Sequence, residues 1–477
     1  MKSFLLISLF LLFAVNADEY YTAVEIKHPD SKVALEIGGM CLDGEGGLMM
    51  TTRRGEVWHR DKDGNWKLFA FGLQEPLGIK KGAWPGEYYV LQRPELTRLL
   101  DEDSDGVADL YDCFARGWGF EGNYHSYAMA FSMDKEGNFY GGLGLPFSHK
   151  KENPFSGQWL GTRKTSERGI FFKIDTVGNY SQVASGVREP VGSAFNEAGD
   201  LFLTDTQGSF ICTNWVIHVE KGDFLGHPDG LMWDSSRPGV AEKLLKMEIG
   251  ERNKEIDKIR KRPVVYMPYR KLGASVGGLT FDTTGGKFGP FTGQMIIAEV
   301  IDNLLMRASI EKVDGVYQGA VFALSKDVGT GGLRPVFAED GTLYLGKTAR
   351  GWGHGSGLAE IKWTGKVPFD IKDIHVQKDG FKLTFTKKVK ELKGEDIKVS
   401  SFRYQYTEKY NSPMVDQKSF KERTIELAPD GMSAVLKLKD PLDEDTVIHF
   451  SYKALKSESG ETPRFPDCWY TLNKLPK

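Results

Sequence analysis

Apolar and polar positions alternate along this chain in short runs, and the runs come in pairs. A glycine-containing lead-in opens onto an apolar strand, then a turn such as Asp-Gly, Glu-Gly or Ala-Gly-Asp, then a second apolar strand. Six such units begin at Glu36, Gln74, Asn123, Arg188, Ser275 and Gly331. Most are followed by a further alternating strand, as in GEVWHRD after the first and RGIFFKID after the third. Strand pairs joined by glycine turns at regular spacing predict an antiparallel all-β chain. Repeats of about 40–60 residues with several strands each predict propeller blades. Six units therefore predict a six-bladed β-propeller over residues 18–365.

Two stretches break the pattern. PGVAEKLLKMEIGERNKEIDKIRKRP, from Pro238, has charges at every turn and apolar residues at helical spacing. It predicts a surface helical insertion between the fourth and fifth blades. Beyond Gly365, FDIKDIHVQKDGFKLTFTKKV, TIELAPDGMSAVLKLKD and TVIHFSYKALKS alternate strictly around Asp-Gly turns. They predict a C-terminal β-sandwich, Ig-like in general form, over residues 366–477. No chemistry is evident in it.

The first 17 residues, MKSFLLISLFLLFAVNA, carry one lysine, a short apolar run and a small-residue cleavage pattern. This reads as a secretory signal peptide; the run is too short for a membrane span. The mature chain is expected to be exported, to the periplasm or beyond the cell. A net charge of −3 over 477 residues gives no reason to expect a nucleic acid partner. The four cysteines form neither a CxxC nor a CxxCH motif, which argues against a zinc site and excludes covalent haem. Export permits a disulfide without fixing its partners.

Propeller geometry selects candidate residues. The first strand of each blade lines the channel, so the residues just before it ring one mouth. Those are Gln74 and Glu75, Asn123 and His125, Arg188 and Glu189, and Arg334. A neutral imidazole at that mouth can take a proton from a hydroxyl; the alternative for His125 is a packing histidine. Glu75 and Glu189 can bind a sugar, a cofactor, a metal or backbone N–H groups. Arg188 can pair with an anionic ligand or with one of the glutamates. Trp118, Trp352 and His354 fall in glycine-rich loops on the open face, where the tryptophans can stack on sugars or cover the edge of the core.

The sharpest local motif is DEDSDGVADLYD. Asp101, Asp103, Asp105, Asp109 and Asp112 stand at loop positions 1, 3, 5, 9 and 12, with Gly106 at position 6. Calcium needs several oxygen ligands around a sharp turn, and Val107 would add its backbone carbonyl. A structural calcium loop is expected; the alternative is a solvated acidic turn.

Two of these segments carry a family resemblance. GNYHSYAMAF with EGNFYGGLG, and GVREPVGSAFNEAGDLFLTDTQGSFICTNWVIHVEKGDFLGHP, resemble the soluble quinoprotein glucose, aldose and sorbosone dehydrogenases. RPELTRLLDEDSDGVADLYD, DTTGGKFGPFTGQ and ARGWGHGSGLAEIKWTGKVPFDI resemble more closely the dehydrogenase-like propellers of planctomycetes and verrucomicrobia, without their cytochrome c domain. The resemblance implies a six-bladed propeller with pyrroloquinoline quinone held over the channel mouth with calcium. It implies His125 as the base that assists hydride transfer from a sugar or polyol, and Gln74, Arg188 and Arg334 as cofactor contacts. It also implies a separate periplasmic electron acceptor, a cytochrome c or a cupredoxin. Glu189 replaces the family's asparagine, Gly332 its second arginine, Ile301 its lysine and Tyr124 the aspartate before the base. The reading is a quinone-dependent sugar dehydrogenase-like oxidoreductase. Its rivals are a metal-dependent hydrolase, lactonase or lyase built on Glu75, Glu189 and His125, and a glycan-binding propeller with Trp118 and Trp352 as platforms.

Overall fold

The computed structural model describes residues 18–120, 122–146, 167–348 and 354–477. The proposed leader and Trp352 lie outside the described residues. The strand pairs seen in the sequence assemble into antiparallel four-stranded units. Their first strands are Ile37–Leu42, Gly78–Lys81, Ala128–Met133, Pro190–Phe195, Val276–Phe281 and Gly332–Phe337. Each packs against the next, and the last against the first, so the six close a ring. This is the architecture of a β-propeller.

Glycines in the first strands let them crowd around the axis. A Cβ on Gly39 would stand 2.6 Å from the Gly78 Cα, and one on Gly192 would stand 2.5 Å from the Gly278 Cα. No side chain fits at either distance, which is why the lead-ins read GG, PLG, PVG and VGG. In five blades the register between the first two strands also shifts near the mouth, as between Pro190 and Gly192. Such bulges re-aim side chains at the end of a strand.

The chain start closes the ring. Tyr21–Ile26 is the outermost strand of the sixth blade and pairs with Ser356–Trp363, Tyr21 opposite Trp363. Joining the two ends of a ring in one sheet protects edges that would otherwise be open.

The helical insertion lies within the fourth blade, not between the fourth and fifth. Val240–Leu245 and Ile249–Ile259 separate that blade's third strand, Asn214–Val219, from its short fourth strand, Val265–Met267. Leu244 and Ile256 bury against Phe210, Phe224 and Leu231. The apolar positions at helical spacing located the helices, whose charged residues apart from Arg252 are not buried, without fixing where the blade resumed.

The C-terminal strands form two sheets around a shared apolar core that includes Phe381, Phe450 and Tyr470. Ile371–Gln377, Gly380–Phe385, Ser433–Leu438 and Arg423–Leu427 make one sheet. The other continues a blade: Val316–Ser325, the outer strand of the fifth blade, pairs with Asp467–Leu472. Thr446–Ser451, Lys398–Tyr404 and Met414–Phe420 extend this into one eight-stranded sheet. The sheet thus runs across the change of character at residue 365. All four cysteines are free, with Cys41, Cys212 and Cys468 buried. Among the described residues no helix is long and apolar enough to cross a membrane.

Candidate functional site at the channel mouth

His125 sits on the lead-in to the third blade, where Asn123 holds it. The His125 backbone N–H donates to Asn123 Oδ1 at 2.9 Å. In the ring, Nδ1 lies 2.8 Å from the Leu145 carbonyl. A carbonyl only accepts, so Nδ1 carries the proton in that bond and Nε2 is left to face the mouth. Nε2 lies 3.3 Å from Glu189 Oε1.

Glu189 joins the third blade to the fourth. Its other oxygen accepts from Arg188 Nη1 at 3.0 Å. Burial pushes the carboxyl up, but His125 and Arg188 outweigh burial and hold it down at about 2. It is a carboxylate at any working pH. The pair is seated by Asp205, at the end of the blade's second strand, Leu201–Asp205. Asp205 accepts the backbone N–H groups of Arg188 and Glu189, each at 2.7 Å. Burial pushes the Asp205 carboxyl up to about 7 against those bonds. Glu299 does the same in the fifth blade, accepting from the Ala274 and Ser275 N–H groups at 2.9 and 2.7 Å. A second strand that ends on an acceptor thus fixes the lead-in of its own blade.

Glu75, from the second blade, does not meet Glu189 and His125 around one ion. It is clamped by two arginines. Arg53 Nε donates to Glu75 Oε1 at 3.0 Å, and Arg93 Nε to Oε2 at 2.6 Å. Glu75 itself has a φ of 48°, a left-handed backbone that costs a non-glycine residue energy. The Tyr127 ring lies between the two guanidinium groups, 5.3 and 5.2 Å from them. Among the described residues, the only cluster of three or more metal-ligating side chains is Asp101, Asp103 and Asp109.

Arg334 occupies the channel. Its guanidinium donates to the carbonyls of Gly38, Val191 and Leu77 at 2.6, 2.8 and 3.1 Å. Burial, with Arg53 nearby, pushes it down to about 9. It ties three blades together and lends charge to the mouth, but its donors are spent on backbone rather than held out to a cofactor. Above it lies a cavity of about 110 Å³, bordered by Arg53, Tyr127, Glu189 and Arg334.

Three other candidates stand apart. The Gln74 side chain is exposed, and its backbone N–H is held by Gln92 Oε1 at 2.6 Å. Trp118 is 1% exposed, stacked on Phe172 at 4.9 Å, with its Nε1 donating to the Arg93 carbonyl at 2.8 Å. It covers the core edge and offers no open face. His354 is exposed, and its carbonyl accepts from Thr330 Oγ1.

The acidic loop joins the third and fourth strands of the second blade, Leu96–Leu100 and Leu110–Ala115. The Asp101 N–H donates to the carbonyl of Gly86 at 3.2 Å, in the turn that follows the blade's first strand. That strand starts at the mouth, so this turn and the acidic loop lie on the opposite face. The loop therefore cannot hold a calcium over the channel mouth. Asp101 Oδ1 is buried without a partner, but Asp112 is drawn aside to Arg98 Nη2 at 3.4 Å. Asp105 Oδ1 accepts from the Val107 N–H at 2.7 Å and stands outside the cluster of three.

Arg53, Arg93, Tyr127 and Asp205 were not singled out by the sequence. Strands one and two are antiparallel, so the end of strand two returns to the mouth where strand one starts. Arg53 directly follows the strand Leu48–Thr52, and Arg93 lies two residues past Glu87–Leu91. Reading the strand-two ends, TTRR and LQRP, beside the lead-ins would have found both.

A ring of six four-stranded blades is a β-propeller, and its fold is similar to that of solved sugar dehydrogenases. The soluble aldose sugar dehydrogenase of Escherichia coli in its apo form is 13% identical, with a TM-score of 0.51 over 72% of this chain and 100% of that one. A glucose dehydrogenase is 16% identical, with a TM-score of 0.51 over 72% and 100%. The holo pyranose dehydrogenase PQQ domain of Coprinopsis cinerea is 10% identical, with a TM-score of 0.50 over 73% and 96%. No protein-family model and no curated protein matches the sequence.

Proposed function

We propose that this chain is a quinone-dependent, sugar dehydrogenase-like oxidoreductase whose general base is His125. The observation that carries the reading is the Leu145–His125–Glu189 arrangement. The carbonyl orients the ring, Nε2 stands at the mouth beside Glu189, and that carboxylate stabilises the proton that Nε2 takes up. A sugar hydroxyl at the mouth gives up its proton to Nε2 as the carbon bearing it is oxidised.

The donor set at the mouth suits an anionic cofactor. The family's lysine and second arginine are missing, but Arg53 and Arg93 bring other guanidinium groups. Four arginines, Arg53, Arg93, Arg188 and Arg334, stand at the mouth among the carboxyl groups of Glu75, Glu189, Asp205 and Glu299, and Arg53 and Arg334 border the cavity where an anion would sit. Arg53, which borders the cavity, and Arg188 would hold pyrroloquinoline quinone, with Arg334 adding charge from below, while Arg93 is spent on Glu75 and the His125 loop. When bound, the quinone supplies the two-electron acceptor. The aromatic ring of Tyr127 and the apolar side chains of Met129, Val191 and Val276 limit water at the cavity floor.

The acidic loop is proposed to bind a structural calcium through Asp101, Asp103 and Asp109. The orphaned Asp101 oxygen supports this. Export through the leader of residues 1–17 and electron delivery to a periplasmic carrier complete the proposal. The C-terminal strands are proposed to form a β-sandwich carried on the fifth blade.

The test is reconstitution. Purified protein with the quinone and calcium should oxidise aldoses with reduction of a dye, and His125→Gln should not. If wild-type protein neither reduces dye nor retains quinone absorbance through gel filtration, the assignment fails.

A further inference from the structure

The C-terminal region reaches the mouth. The loop 405–413, between the strands Lys398–Tyr404 and Met414–Phe420, lies over the fourth blade and is fixed there. The Phe210 N–H donates to the Thr407 carbonyl at 2.9 Å. Tyr406 Oη donates to the Gly226 carbonyl at 2.5 Å, and Asn253 Nδ2 to Glu408 Oε2 at 2.9 Å. The Tyr406 ring packs on Phe210, centroids 5.2 Å apart. Anchors on the strand-two loop, the helical insertion and the segment after the third strand leave this loop little freedom to lift.

The loop delivers Tyr410. Its ring centroid lies 5.9 Å from the Arg188 guanidinium, and its hydroxyl accepts from Gln207 Nε2 at 3.4 Å. Arg188 is the residue that pairs with Glu189, which in turn faces His125. Tyr410 nevertheless remains 44% exposed. An aromatic ring held rigidly on one edge and open on the other is a surface for the C–H face of a ring sugar. Of the two tryptophans that the sequence offered for this purpose, Trp118 is buried and Trp352 lies outside the described residues.

From this geometry we infer that Tyr410 is a specificity-determining residue, supplied to the propeller by the appended C-terminal strands. It selects cyclic pyranoses over acyclic polyols. An acyclic chain has no flat C–H face, so it gains little from an aromatic platform and would have to be ordered on binding. The inference rests on the dehydrogenase reading, and it decides between the two substrate classes that the sequence left open. It also gives the loop anchors a purpose: they hold the Tyr410 ring in place beside Arg188.

The experiment compares D-glucose with D-sorbitol on the quinone-loaded protein and its Tyr410 variants. Wild type should favour glucose. In Tyr410→Ala the KM for glucose should rise about tenfold with kcat moved far less, and the preference for glucose over sorbitol should shrink by a similar factor. Tyr410→Phe, which keeps the ring, should behave as wild type. Calorimetric titration of glucose into the same three proteins provides a readout without turnover. Oxidation with a KM indifferent to Tyr410→Ala overturns this inference alone. Glucose binding that depends on Tyr410 without any oxidation overturns the dehydrogenase reading alone. If wild type neither binds nor oxidises glucose, both fall.

Discussion

Arg93 binds Glu75 and the His125 loop with one guanidinium. Its Nε donates to Glu75 Oε2 at 2.6 Å, while its two amino groups hold the carbonyls of Asn123, Tyr124 and Ser126 at 2.8, 2.6 and 3.2 Å. The loop that presents the candidate base is therefore fastened to the second blade, not only to its own. Arg93→Ala should lower unfolding stability by about 3 kcal/mol, because it leaves a half-buried carboxylate with one partner fewer. It should lower sugar oxidation as well. Arg93→Lys should recover little of either, since a single ammonium cannot span four acceptors in a planar fork. Urea denaturation and dye-linked assays on the two variants check this.

His125→Gln removes the base while keeping a polar side chain of similar reach. The rate of sugar oxidation should fall about 10²–10⁴-fold, with KM nearly unchanged. The unfolding midpoint should move little, because the loop is held by Arg93 and by the Asn123 turn. A variant that folds, binds quinone and retains full kcat would remove His125 from the chemistry.

Glu189 and Asp205 should give pH dependences of opposite sign. Glu189 titrates at about 2 in the folded protein, below its ordinary value of 4.5. Its contribution is full above pH 4.5 and is lost as pH falls toward 2. Asp205 titrates at about 7, above its ordinary 3.8, so the folded protein holds that proton longer than the unfolded chain. Its presence therefore costs stability as pH rises from 3.8 through 7. Urea midpoints from pH 3 to pH 8 should show Glu189→Gln losing its difference from wild type at the acid end. Asp205→Asn should flatten the decline on the neutral side.

The fold was legible because each blade repeats one local rule, a glycine lead-in and a turn between alternating strands. The site was half legible. His125, Glu189 and Arg188 precede first strands, where the repeat points. Arg53, Arg93 and Asp205 were hidden because their approach to the mouth depends on antiparallel return. Tyr410 depends on a sheet that joins residues 316–325 to 467–472, a pairing no local pattern records. Trp118 misled for the opposite reason: a glycine-rich loop looks open in sequence, yet the ring stacks on Phe172 and its N–H bonds Arg93.

The acidic loop offers a test that is separate from the mouth in space and in readout. Asp101, Asp103 and Asp109 bring ligand oxygens within 4.8 Å of one another, and the buried Asp101 Oδ1 has no protein partner. An ion there would also tie the loop to the Gly86 turn through Asp101. Calcium at a hundredfold excess over its dissociation constant would add about 2.7 kcal/mol to stability. The thermal midpoint of wild type should therefore rise with calcium and fall with a chelator. Asp103→Ala should abolish the response, and elemental analysis should show one calcium fewer per chain than in wild type. Magnesium should substitute poorly, since the ligands come from one bent loop and cannot form a tight octahedron. If Asp103→Ala and wild type respond to calcium alike, the loop is a solvated turn and any bound ion lies elsewhere.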